Sequence, residues 1–167
     1  MWTIPDNELT SLITHKNGPC VSLYVPTFKK GEEIKQNRIR YKNSLNAVYS
    51  SAKESGYSPE LIDPIITPVR DLEADDAFWQ NQRSSLALFL SREASPVLYR
   101  LPFSCPQTVE VGDSFFIRPL LPLFEEEISF FILDVQLHGV HLFRATRFDI
   151  EEVPLADMPA TIDEALR

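Results

Sequence analysis

Cys20-Val21-Ser22-Leu23-Tyr24-Val25-Pro26-Thr27 is the stretch on which the fold turns. It is apolar, rich in β-branched and aromatic residues, and closed by a proline, so it reads as a buried strand. The segment that follows, Phe28 to Lys42, carries Lys29, Lys30, Lys35, Arg38, Arg40 and Lys42 against Glu32 and Glu33. That is a local excess of four positive charges in a chain whose net charge is −8, so the remainder sums to −12. A contrast of this kind concentrates positive potential in one region and points there for an anionic partner.

From about Ile34 or Gln36 to Ser55 the period becomes helical. Ile34, Tyr41, Leu45, Val48 and Ala52 fall on one face, and Gly56 stops the run. Lys35, Lys42 and Lys53 form a stripe beside that face, with Arg38 on its border and Arg40 on the opposite flank. Ile39 points away from the core face. Upstream, Asp6 can cap a first helix with Leu9, Leu12 and Ile13 on one side.

Ser58-Pro59 opens a third helical stretch. Pro64 and Pro68 inside it predict a break or kink, because each lacks a donor and clashes with the preceding turn. From Ser84 onward the period is that of strands. Leu86–Ser91 with Val97–Leu101, and Thr108–Val111 with Ser114–Ile117, predict two hairpins. Arg118–Phe124 reads as a proline-studded connection or short helix. Ser129–Leu137 and Val140–Arg144 predict a long hairpin turning at His138-Gly139, and Phe148–Val153 a last strand. Helices and one strand, then a run of strands, give an α+β class: a mixed, largely antiparallel sheet packed against two to three helices.

The 167 residues, 44% of them hydrophobic, fit a single domain over 1–167. Thr161-Ile162-Asp163-Glu164 has the form of a capping box, so 157–167 is read as the start of an interdomain helix or linker to domains beyond this chain. No apolar run reaches the roughly 20 residues a bilayer needs, and no membrane partner is expected. Met1–Asp6 has neither a basic n-region nor an apolar h-region. Cys20 and Cys105 stand apart, in no metal or redox spacing, and suit a reducing cytoplasm.

No catalytic constellation stands out, and no catalytic, cofactor or metal residue is assigned. Of His15, His138 and His141, the last two flank a turn and read as surface histidines of a hairpin. The carboxylates at Asp71, Glu73, Asp75 and Asp76, and at Glu125–Glu127, sit beside turns, where solvated charge is ordinary. Phe78-Trp79-Gln80-Asn81-Gln82 offers an aromatic and amides for a nucleobase, but reads first as a plug of the sheet. A pocket of Asp75, Asp76 and Gln82 around a metal is the remaining enzymatic alternative.

Cys20–Thr27, Arg38–Leu45, Asp76–Gln82 running into Leu86–Ser91, Val111–Leu123 and Phe131–Phe143, in this order and spacing, resemble one family. It is the N-terminal domain of bacterial members of the archaeo-eukaryotic release factor superfamily, and the likeness covers roughly Gly18 to Leu166. The resemblance implies a three-domain parent, with a middle domain whose Gly-Gly-Gln loop triggers peptidyl-tRNA hydrolysis. Gly-Gly-Gln is absent from this chain, so no enzymatic activity is expected in it. Decoding relatives carry Asn-Ile-Lys-Ser at the start of the helix after the first strand. Here Glu33-Ile34-Lys35-Gln36 keeps only the middle pair. Ser85 stands where bacterial members commonly have Gly.

The expectation is a non-catalytic module associated with ribosomes or translation stress. Its contacts with ribosomal RNA or tRNA would run through Lys29, Lys30, Lys35, Arg38, Arg40 and Lys42. It would also meet the C-terminal domains of its parent, with no DNA partner and no cofactor. The alternative is a protein–protein interaction or structural domain, suited by the acidic remainder and by Ile39.

Overall fold

The computed structural model describes residues 6–124, 128–136 and 139–155. The chain forms two compact units, Trp2–Leu123 and Phe124–Arg167. The expected capping-box helix, the turn at His138 and Glu125–Glu127 lie outside the described residues.

In the first unit, β1 (Cys20–Pro26) lies between β2 (Ser85–Leu90) and β4 (Thr108–Gly112), and β3 (Val97–Leu101) borders β2. Every pairing is antiparallel. The sheet that the sequence predicts to be mixed and largely antiparallel contains no parallel pair among the described residues. β1 sets Val21 opposite Leu90 and Val111, and Leu23 opposite Leu88 and Val109.

The continuous apolar run of β1 and β2 has a physical cause. Both strands are covered on both faces, so no position needs to be polar. One face packs Val21, Leu23, Val25, Leu86, Leu88 and Leu90 against α2 (Ile34–Glu54), α3 (Pro59–Arg70) and α4 (Asp76–Gln80). The other face packs Tyr24, Ala87 and Phe89 against Leu12 of α1 (Asp6–Thr14), with Cys105 from the segment between β3 and β4 and Leu120 from the 3-10 helix after β4. Tyr24 donates its hydroxyl proton to the Phe116 carbonyl at 2.7 Å. The one polar residue in the middle of β1, Ser22, accepts from the Phe116 N–H at 2.9 Å.

Two local expectations change. α3 runs unbroken through Pro64 and Pro68. Proline carries a local cost, but Ile62, Ile65, Ile66 and Val69 form one buried stripe, and tertiary burial holds the helix together. Ser114–Ile117 is not a strand. β4 pairs with β1 instead of a hairpin partner, and Phe115, Phe116 and Ile117 pack into the second core cluster. Arg118–Leu123 is a 3-10 helix. Ile13, expected on the core side of α1, is half exposed.

In the second unit, β5 (Phe130–Gln136), β6 (Gly139–Ala145) and β7 (Ile150–Val153) form an antiparallel sheet in that order. Cross-strand partners share a face. Phe131, Leu133 and Val135 therefore lie beside Arg144, Leu142 and Val140. The first three are exposed by 63%, 52% and 68%, leaving this face apolar and open within the unit. No helix among the described residues is long and apolar enough to cross a membrane.

Candidate anion-binding ridge on the second helix

The ridge begins in the loop between β1 and α2. Asn37, fully buried in the first turns of α2, clamps that loop with both ends of its amide. Its Oδ1 accepts from the Phe28 N–H at 2.8 Å, and its Nδ2 donates to the Phe28 carbonyl at 3.0 Å. Gly31 then takes φ +91°, a left-handed turn that favours glycine. The first amides of α2 are already used: Ile34, Lys35 and Gln36 donate to Gly31, Glu32 and Glu33 carbonyls. The positive charge of this segment is therefore that of its side chains, with these helix-terminal N–H groups already engaged.

The six predicted cations divide into three groups. Lys29 and Lys30 in the loop and Lys35 in the first turn are exposed, and among the described residues none has an ion-pair partner. Arg38 pairs with Asp76, the first residue of α4. Lys42 pairs with Glu73 of the intervening 3-10 helix at 3.1 Å. Arg40 turns the other way and braces the loop. It donates to the Pro26 carbonyl at 3.3 Å and lies 4.7 Å over the Phe28 ring.

A cavity of about 530 Å³ opens between the head of α2 and α4, lined by Gly31, Ile34, Lys35, Arg38, Asp76, Trp79 and Gln80. A smaller recess of about 260 Å³ follows along α2, with Lys42, Glu73 and Arg70 in its wall. Trp79 is the keystone between the two helices. Its ring lies 5.2 Å from Tyr41 and 4.9 Å from Phe78, and its Nε1 donates to the Leu72 carbonyl at 2.7 Å. At 1% exposure it cannot offer a stacking face to a base, so the reading of Phe78 and Trp79 as a plug of the core is the one realised.

The acidic stretch has structural work. Asp75 caps α4, accepting from the Phe78 N–H at 2.9 Å. Gln82 turns inward and donates to the Phe78 carbonyl at 2.6 Å. Asp75, Asp76 and Gln82 thus serve a cap, an ion pair and a core contact. Among the described residues no group of three or more His, Cys, Asp or Glu side chains is placed to hold a metal ion.

Asn37 was not picked out from sequence. Its signal was available: a polar residue three after Ile34 and four before Tyr41, in phase with the buried face of α2. The pairing of Arg38 and Lys42 with Asp76 and Glu73 had no local signal, because the partners lie more than thirty residues apart in the chain.

His141 lies in the second unit, where its Nδ1 meets a Glu152 carboxylate oxygen at 2.8 Å. That hydrogen bond raises the imidazole pKa above its ordinary 6.5. Since the folded value is raised, the stabilisation is complete below the unfolded pKa and fades as pH rises through the folded one. The His141 imidazole is expected to titrate above 6.5 by NMR, and Glu152→Gln to bring the midpoint back down.

No family model matches the chain, and no curated protein matches it. Among solved structures, one described as "Archaeal protein" aligns with a TM-score of 0.49 at 14% identity, over 99% of this chain and 51% of its own length. The chain thus spans about half the length of that solved structure.

Proposed function

We propose that this chain is a non-catalytic, N-terminal binding module of a release-factor-like protein, meeting ribosomal RNA or tRNA through the head of α2. The observation that carries the reading is the trio Lys29, Lys30 and Lys35. All three are exposed and, among the described residues, without an ion-pair partner; Lys29 and Lys30 follow the Phe28 backbone held by the Asn37 clamp, and Lys35 lines the cavity, on a chain that is otherwise acidic. Arg38 and Lys42 extend the ridge along α2, whereas Arg40 belongs to the scaffold. Burial of Trp79 supports contact with the phosphate backbone over capture of a stacked base.

The test is co-sedimentation of the protein with ribosomes at low and moderate salt. Reversing Lys29, Lys30 and Lys35 to Glu is expected to weaken binding roughly tenfold, and to flatten the log–log salt slope by about 2 at roughly 0.7 per single-strand contact. Binding that is unchanged by the triple reversal sinks the assignment. A second reading, a protein–protein interaction domain, is favoured by the open apolar face of Phe131, Leu133 and Val135. Under it, association survives both the reversal and the added salt.

A further inference from the structure

Arg38 and Lys42 are not idle in the free protein: each holds a carboxylate from the acidic stretch after α3. Both pairs are open to water. The Asp76 side chain is 77% exposed and that of Lys42 59%. Ion pairs of this exposure are weak and readily exchanged. They are not needed to fasten α4 to α2, since Trp79 does that through buried rings and the bond to Leu72. Both lie on the ridge itself. Arg38 and Asp76 form part of the wall of the larger cavity, and Lys42 and Glu73 part of the smaller. Lys35, Arg38 and Lys42 recur at steps of three and four, which places them on one helix face over about 10 Å at 1.5 Å per residue.

Building on the RNA-contact reading, we infer that Glu73 and Asp76 determine the specificity of this ridge. In the free protein they occupy Lys42 and Arg38, leaving Lys29, Lys30 and Lys35 for first encounter. They yield the two inner cations only to a partner of high charge density, such as the phosphate backbone of single-stranded RNA. Phosphate strands release condensed counterions on binding, a gain that a sparsely charged acidic peptide does not have. A built-in carboxylate competitor therefore disfavours the peptide more than the RNA, which is selection by a repulsive element.

The experiment compares fluorescence anisotropy of labelled oligouridylate and a labelled acidic peptide of equal net charge with its glutamates spaced by three glycine or serine residues. The proteins are wild type, the isosteric double variant Glu73→Gln/Asp76→Asn, and the charge-matched control Glu54→Gln/Glu60→Gln. Thermal unfolding checks that each variant is folded. The guard variant is expected to bind the RNA roughly 2- to 30-fold more tightly at low salt, clearly beyond the control. It is also expected to gain still more for the peptide, so that the preference for RNA shrinks. An RNA gain no larger than the control's, or an unaltered RNA-to-peptide ratio, overturns the inference. If wild type binds RNA through Lys29, Lys30 and Lys35 while the guard variant behaves like the control, only the guard role falls. If neither wild type nor the guard variant binds RNA, the RNA-contact reading falls with it.

Discussion

Trp79→Ala is expected to destabilise the first unit by about 3–5 kcal/mol, the range for truncating a large buried aromatic. The side chain is 1% exposed and sits where α2, α4 and the 3-10 helix before α4 meet. Its loss empties the space between Tyr41 and Phe78 and leaves the Leu72 carbonyl without the indole donor. Against a typical total of about 5–15 kcal/mol, such a loss leaves little margin. Urea unfolding followed by far-UV circular dichroism measures it. Trp79→Phe separates the contributions. It keeps an aromatic ring in the core but forfeits the 2.7 Å bond to Leu72, so a smaller cost of about 1–3 kcal/mol is expected. A Trp79→Ala cost below about 1 kcal/mol would show that the two helices are held by something other than this side chain.

Asn37→Ala is expected to cost about 2–3 kcal/mol, because it strips the partners from both the N–H and the carbonyl of Phe28. The consequence reaches the proposed ridge. Lys29 and Lys30 follow Phe28 directly, and the amide clamp fixes where their loop leaves the sheet. Backbone amides at 28–33 should exchange with solvent faster in the variant while those of β1 stay protected. Asn37→Asp is the sharper probe. It keeps an acceptor for the Phe28 N–H, loses the donor for the carbonyl, and places a charge at a site with no exposure, so it should be at least as costly as the alanine. Uniform exchange across 28–33 in all three proteins would remove Asn37 from its role.

Much of the fold was legible in local pattern. The helical phase of Ile34, Tyr41, Leu45, Val48 and Ala52 matches α2, whose buried residues include the last four. The apolar text of Cys20–Val25, interrupted only by Ser22, and of Leu86–Leu90 belongs to strands covered on both faces. The expected hairpin of Ser129–Leu137 with Val140–Arg144 is the β5–β6 pair. What misled was also local. Pro64 and Pro68 argue for a break on backbone grounds, yet the buried isoleucines decide for one helix. Ser114–Ile117 has strand composition, but its Phe116 backbone answers Ser22 and Tyr24 on β1 rather than a neighbouring ladder.

The ridge divides in the same way. That cations crowd the segment from Lys29 to Lys42, in a chain of net charge −8, is a property of the sequence alone. So is the amphipathic period that puts Lys35, Arg38 and Lys42 on one side of a helix, because helical geometry ties face to spacing. Which of those cations are free is not such a property. It depends on where α3 and the 3-10 turn return the chain, bringing Glu73 and Asp76 onto Lys42 and Arg38, while Arg40 bends back to Pro26. Periodicity reports which face a residue occupies. Electrostatic pairing depends on distances of a few ångströms between segments far apart in the chain, and only the tertiary fold sets those.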